Sequence, residues 1–115
     1  MAKKILIVND DPDIVKVVTA RLKKLNYELM VATDGQQAVD LAQQYQPDLI
    51  VMDYHLPILN GMEAIRIIKK DEQLKNIPVL LLTASLNVSE IKAVEADDYI
   101  EMVDLIEKIK KWTKT

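Results

Sequence analysis

Three runs in this chain, "ILIV" (5–8), "LIVM" (49–52) and "VLLL" (79–82), are apolar at every position. They are too short for helices and lack the in–out alternation of a strand with one wet face. A strand that is apolar at successive positions presents greasy side chains on both sides, so both faces of its sheet need a cover. The segments between the runs supply it. Pro12 to Leu25 carries Ile14, Val15, Val18, Leu22 and Leu25 at helical spacing, opened by Asp11 as cap and Pro12 at the first helical position. "YELMVAT" (27–33) reads as a second strand closed by an Asp34-Gly35 turn, followed by a helix over 36–45 that Pro47 stops. "DLIVMD" (48–53) is the third strand and Met62 to Lys70 the third helix, on Met62, Ile65 and Ile68. Strand four is "VLLLT" (79–83), a short helix is capped by Asn87, and "DYIEM" (98–102) is strand five. Asp104 and Glu107 have the spacing of a capping box for a last helix on Leu105, Ile106, Ile109 and Trp112. Strand and helix alternating five times predict an α/β domain spanning 1–115, a parallel sheet with helices on both faces.

Several function classes fall away on composition. A formal net charge of -3 argues against direct nucleic-acid binding. The absence of cysteine excludes disulfides and thiolate metal sites. No apolar run approaches membrane-spanning length, and "MAKK" before a four-residue apolar run is too short for a secretory signal. The expectation is a cytoplasmic domain with no membrane contact.

In an open parallel sheet, ligands bind beyond the carboxyl ends of the strands. There the first strand presents Asn9 and Asp10, the third ends on Asp53, and the fourth on Thr83 followed by Ala84. If strands one and three are neighbours, their ends lie about 4.8 Å apart, and Asp10 and Asp53 share a crevice. Two carboxylates so close repel unless a cation sits between them. Mg²⁺ takes one or two carboxylates, waters and a phosphate oxygen, so the acidic knot reads as a metal cradle.

The joint pattern "ILIVNDDPDI", "PDLIVMDYHLPILNG", "LLTAS" and "ADDY" resembles the receiver domain of two-component response regulators over essentially the whole chain. The resemblance implies a flavodoxin-like, doubly wound five-stranded sheet in three layers. It implies that Asp53 is the phosphoacceptor, a carboxylate nucleophile that becomes an acyl phosphate. Asp10, Asp53 and the backbone carbonyl of His55 would hold Mg²⁺, with Asn9 in its outer shell. Thr83 would bind a phosphoryl oxygen, the backbone N–H of Ala84 would meet another, and Tyr99 would be an aromatic switch following Thr83. Implied partners are a histidine kinase or histidine phosphotransfer protein and a downstream effector protein. The domain would signal rather than act as an enzyme on a third molecule.

Plainer readings stand beside these. Asp11 is better placed as a helix cap than as a ligand, and Asp13 suits the helix dipole. Thr83 could be an ordinary strand residue, Tyr99 simple packing and His55 a loop residue. Pro57 and Asn60-Gly61 support the register. Lys108, Lys110, Lys111 and Lys114 read as a solvated face.

Three departures from the receiver pattern stand out. Asn9 replaces the first of two adjacent acids, which predicts weaker Mg²⁺ binding. The lysine normal at the end of the fifth strand is Met102, before Val103, or Glu101 with one gap; neither is basic. The segment from Thr83 to Tyr99 is about one helical turn short, with Glu95 at an expected glycine, so the helix there should be truncated. These departures motivate an alternative, a pseudo-receiver that serves as a protein-interaction module without phosphotransfer. A flavin-binding electron carrier would need a phosphate-binding loop where Asp10, Asp11 and Asp13 stand, and an aspartyl phosphatase would want an acid at His55.

Overall fold

The computed structural model describes residues 2–82 and 95–114. The elements are β1 (Lys4–Val8), α1 (Pro12–Lys23), β2 (Glu28–Ala32), α2 (Gly35–Tyr45), β3 (Leu49–Asp53), α3 (Gly61–Lys70), β4 (Val79–Leu82), β5 (Asp98–Ile100) and α4 (Leu105–Thr113). They form one sheet in the order β2-β1-β3-β4-β5 with every pairing parallel.

The unbroken apolar runs are explained by this sheet. Leu6, Val8, Ile50, Met52, Val79 and Leu81 face a layer built on α2 and α3. Their sequence neighbours Ile5, Ile7, Leu49, Val51, Leu80 and Leu82 face α1 and α4. Each residue of the three central strands therefore has a covered side, and none needs to be polar.

Element ends follow local chemistry. Asp11 caps α1 by accepting from the Asp13 N–H, with Pro12 at the start. Helix α1 stops at Lys23 rather than Leu25, because Leu25 N–H donates to the Leu22 carbonyl and Asn26 N–H to Lys23, with Asn26 at φ 63° turning the chain out. Asp34-Gly35 is not a turn. Asp34 is the N-cap of α2, accepting from Gln37 N–H at 2.7 Å, and Gly35 is already helical. Asp104 does open α4, as its spacing to Glu107 predicts, with its carbonyl accepting Lys108 N–H at 3.0 Å, but its side chain makes no cap bond. Its carboxylate instead accepts from Glu101 N–H at 2.8 Å, closing a turn that ends β5 at Ile100 and not at Met102. The Asn87 helix and its shortening lie outside the described residues.

Candidate functional site

Strand β1 does lie beside β3, in a register that pairs Val8 with Met52. Asn9, the next residue, is therefore level with Asp53 at the carboxyl end of the sheet, and its N–H donates to Ala32 to continue the ladder to β2. Asn9 is buried, and its side-chain oxygen accepts the Asp11 N–H at 2.9 Å. Asp10, between Asn9 and Asp11 in the chain, is exposed. This short Asx turn delivers the chain from strand to helix while leaving Asp10 at the rim.

Asp53 is half-buried at the last position of β3. Burial is the largest influence on its carboxyl and pushes its pKa up; the Tyr54 backbone N–H and His55 pull it down, while the charges of Asp10 and Asp11 push it further up. Asp53 thus feels the charges of Asp10 and Asp11, as the strand order requires. Among the described residues no lysine or arginine pairs with any of them.

The loop after Asp53 is held firmly. Gly61 N–H donates to the Tyr54 carbonyl at 2.8 Å, and Asn60 caps α3 through Glu63 N–H at 2.9 Å. A Cβ on Gly61 would run into the Asp53 carbonyl oxygen and sit 2.9 Å from Tyr54 Cα. A Cβ on Gly35 would likewise collide with the Leu59 carbonyl oxygen. The two helix N-termini grip the loop from either side, and neither glycine is at positive φ. Sequence reasoning gave Gly61 only a part in the register and missed that it backs directly onto Asp53 and Tyr54, a closeness that leaves no room for a Cβ. His55 is exposed, its ring edge-on to Tyr54 with centroids 5.0 Å apart.

Tyr99 lies in β5 opposite Leu81 and is half-buried against the layer of α2 and α3. Thr83 and Ala84 lie outside the described residues. Met102 packs against the layer of α1 and α4, Glu101 is exposed, and Val103 is 89% exposed. Lys108 does not belong to a solvated face. Its ammonium donates to the Asp98 carboxylate at 3.0 Å and to the Tyr99 carbonyl at 2.9 Å, which ties α4 to β5.

Among the described residues no group of three or more Asp, Glu, His or Cys side chains gathers to enclose a metal. A hard divalent ion does not need one: two carboxylates and a backbone carbonyl leave room for waters and a phosphate oxygen. Asp10 and Asp53, all-oxygen and mutually repelling, fit that donor set.

A parallel, doubly wound sheet with carboxylates at the carboxyl ends of its strands defines the class of α/β domains that bind ligands there. The family model for the response regulator receiver domain matches residues 5–111. This chain belongs to the response regulator receiver family. It is 39% identical to the DNA-binding dual master transcriptional regulator RpaA of a Synechocystis strain, over 84% of this chain and 42% of that protein. The chain thus spans less than half the length of that relative. Among solved structures it is similar to the receiver domain of the sensor histidine kinase PA1611 of Pseudomonas aeruginosa, with 30% identity, all of both chains covered and a TM-score of 0.91. That structure has magnesium coordinated in its active-site cleft. The chemotaxis protein CheY4 of Vibrio cholerae is similar at 27% identity, with 96% of this chain and 98% of that one covered and a TM-score of 0.87. The flavodoxin-like fold expected from the sequence is therefore the fold observed.

Proposed function

We propose that this domain takes a phosphoryl group on Asp53 from a histidine kinase or histidine phosphotransfer protein and passes the signal to a downstream effector. The observation that carries the reading is a half-buried carboxylate at a strand end, facing two further acids with no lysine or arginine paired to any of them among the described residues. Such an arrangement is unfavourable for folding and suits a site completed by a bound cation.

Asp10, Asp53 and the His55 carbonyl would hold Mg²⁺, which when bound supplies the positive charge that lets an anionic donor approach an anionic acceptor. An Asp53 carboxylate oxygen attacks phosphorus in line. The new bond is an acyl phosphate; the bond that breaks joins phosphorus to the donor's imidazole nitrogen, which keeps the electron pair. Gly61 and the Tyr54 carbonyl keep the Asp53 backbone in place while this happens. Asn9 contributes less than an aspartate would. Its oxygen already accepts the Asp11 N–H, and its other terminal atom is a donor, so it offers the ion's waters less acceptor capacity. In this reading Thr83 and the Ala84 N–H receive the phosphoryl oxygens, and Tyr99 responds to Thr83.

The test is intact mass after incubation with acetyl phosphate and Mg²⁺. Wild type should gain one phosphoryl group and Asp53→Asn none, with labelling suppressed by a chelator. An unlabelled wild type, alongside a labelled ordinary receiver, would reject the reading and leave a domain that acts by binding alone.

A further inference from the structure

The residues proposed to hold Mg²⁺ come from two separate stretches, Asn9-Asp10 after β1 and Asp53 to His55 at the end of β3. Both stretches bear on a third, the junction of β2 with α2, which supplies none of the proposed ligands. On one side, Asn9 N–H donates to the carbonyl of buried Ala32 at 3.1 Å. On the other, buried Gly35 backs onto the loop after β3. A Cβ at Gly35 would run into the Leu59 carbonyl oxygen and lie 2.6 Å from its carbon.

Between those two contacts the junction is stiffened by its own hydrogen bonds. Asp34 accepts Gln37 N–H at 2.7 Å, and Gln37 Oε1 accepts Thr33 N–H at 2.7 Å. This is a capping box whose second bond goes to the residue before the cap, and it ties residues 33, 34 and 37 into one unit. Gln37 is exposed, so its bond to Thr33 replaces one to water and adds little to stability. What the bond does is hold a shape. From Leu59 the contact is handed on along a short path. Asn60 caps α3, Gly61 N–H returns to the Tyr54 carbonyl at 2.8 Å, and Gly61 itself lies against the Asp53 carbonyl. The contacts at Gly35 and Gly61 are with backbone, so neither can be relieved by a change of rotamer, and a shift at Leu59 reaches the peptides around Asp53.

We infer that the β2–α2 junction sets the spacing between the two halves of the metal site, with Gly35 and Gln37 as positioning residues. The inference rests on the phosphoacceptor reading and adds what governs its Mg²⁺ affinity. Mg²⁺ accepts little departure from octahedral bonds of about 2.1 Å, so segments displaced relative to each other lose affinity even when every ligand is present. With an amide at Asn9 in place of an acid, this site has few spare oxygens to make good such an error.

The experiment titrates Mg²⁺ into ¹⁵N-labelled wild type, Gly35→Ala, Gln37→Ala and Asp98→Asn, well below their melting temperatures. The amide shifts of Asp10 and His55 give the dissociation constant of the folded form. Gly35→Ala should raise that constant about tenfold, the low end of the loss when a group that orients a ligand is disturbed. Gln37→Ala, which removes a bond and introduces no clash, should raise it about threefold. Asp98→Asn, at the opposite edge of the sheet, should lower the melting temperature and leave the constant at the wild-type value. Wild-type affinity in Gln37→Ala overturns the inference whether or not Gly35→Ala folds, and so does wild-type affinity in a folded Gly35→Ala. An equal loss in Asp98→Asn also overturns it, because affinity would then follow stability and not spacing. Wild type that binds no Mg²⁺ and takes no phosphoryl group from acetyl phosphate fails the phosphoacceptor reading itself, and the inference with it.

Discussion

At the amino-terminal ends of the strands, acids are matched to donors. Asp48 accepts the Lys4 backbone N–H at 2.7 Å. Asp97 accepts Val79 N–H at 2.7 Å and pairs with Lys69 at 2.6 Å, while the Lys69 ammonium also reaches the carbonyls of Lys75 and Ile77. Asp98, nearby, receives Lys108, the Trp112 indole N–H and Tyr99 N–H. At the carboxyl ends, the charges of Asp10 and Asp11 push on Asp53, and among the described residues no lysine or arginine pairs with any of the three. Other loops leaving this edge carry Ile58, at positive φ, and Val103, both largely exposed. One edge is arranged for stability. The other keeps its charge unbalanced, which is how binding chemistry departs from folding chemistry in one small domain.

The largest effect expected from breaking this contrast is at Gly61. Gly61→Ala drives a methyl group into the Asp53 carbonyl and Tyr54 Cα, both backbone, so the neighbours cannot yield by changing rotamer. The cost should be about 3 kcal/mol in denaturant unfolding, the upper part of the overpacking range, and acetyl phosphate labelling of Asp53 should fall with it. Unchanged stability would mean that the loop after Asp53 yields easily and does not fix the acceptor.

Next in size is Asp98. Burial alone would raise its pKa, but hydrogen bonds from Trp112, Lys108 and Tyr99 outweigh that and hold the carboxyl below its usual value. A lowered pKa contributes stability that is present above the usual aspartate range and is lost as pH falls through the lowered value. Asp98→Asn should therefore cost about 2 kcal/mol near neutral pH, and the gap should close in acid. A gap that persists unchanged into acid would show that shape, not charge, makes Asp98 matter.

How much of this was legible beforehand depended on the physics involved. The runs 5–8, 49–52 and 79–82 announced strands covered on both faces, since period and composition are written along the chain. The Asp10–Asp53 juxtaposition followed from strand adjacency, and the register of Val8 with Met52 bears that adjacency out. What failed were choices between competing local bonds. Asp104 opens α4 as expected but gives its carboxylate to the Glu101 N–H rather than to the helix, and Asp34 looked like a turn residue but caps α2. Lys108 read as solvated because Asp98 is ten residues away, a distance only the packing of α4 on β5 removes. The glycine requirement at positions 35 and 61 depends on contacts with the loop after β3, and no sequence pattern encodes it.

The smallest effect is the one that sharpens the comparison most, because the same substitution should have the opposite sign at the opposite edge. Burial raises the pKa of Asp53, and Asp10 and Asp11 add to it. A group whose folded pKa is raised favours the folded state fully below its unfolded value and loses that contribution as pH rises through the raised one. Ionised Asp53 is therefore a burden near neutral pH. In a chelator, Asp53→Asn should be more stable than wild type by less than about 1 kcal/mol, with the advantage fading as pH falls through the raised pKa and absent below the usual aspartate range. Mg²⁺ should then raise the stability of wild type and close the gap, because a ligand bound only by the folded state stabilises it by an amount that grows with the logarithm of its concentration relative to its dissociation constant. Thermal melts of the two proteins across pH, with and without Mg²⁺, would show both trends. Should Asp53→Asn prove less stable than wild type in chelator, Asp53 would have a compensating partner, and the two edges of the sheet would not differ in kind.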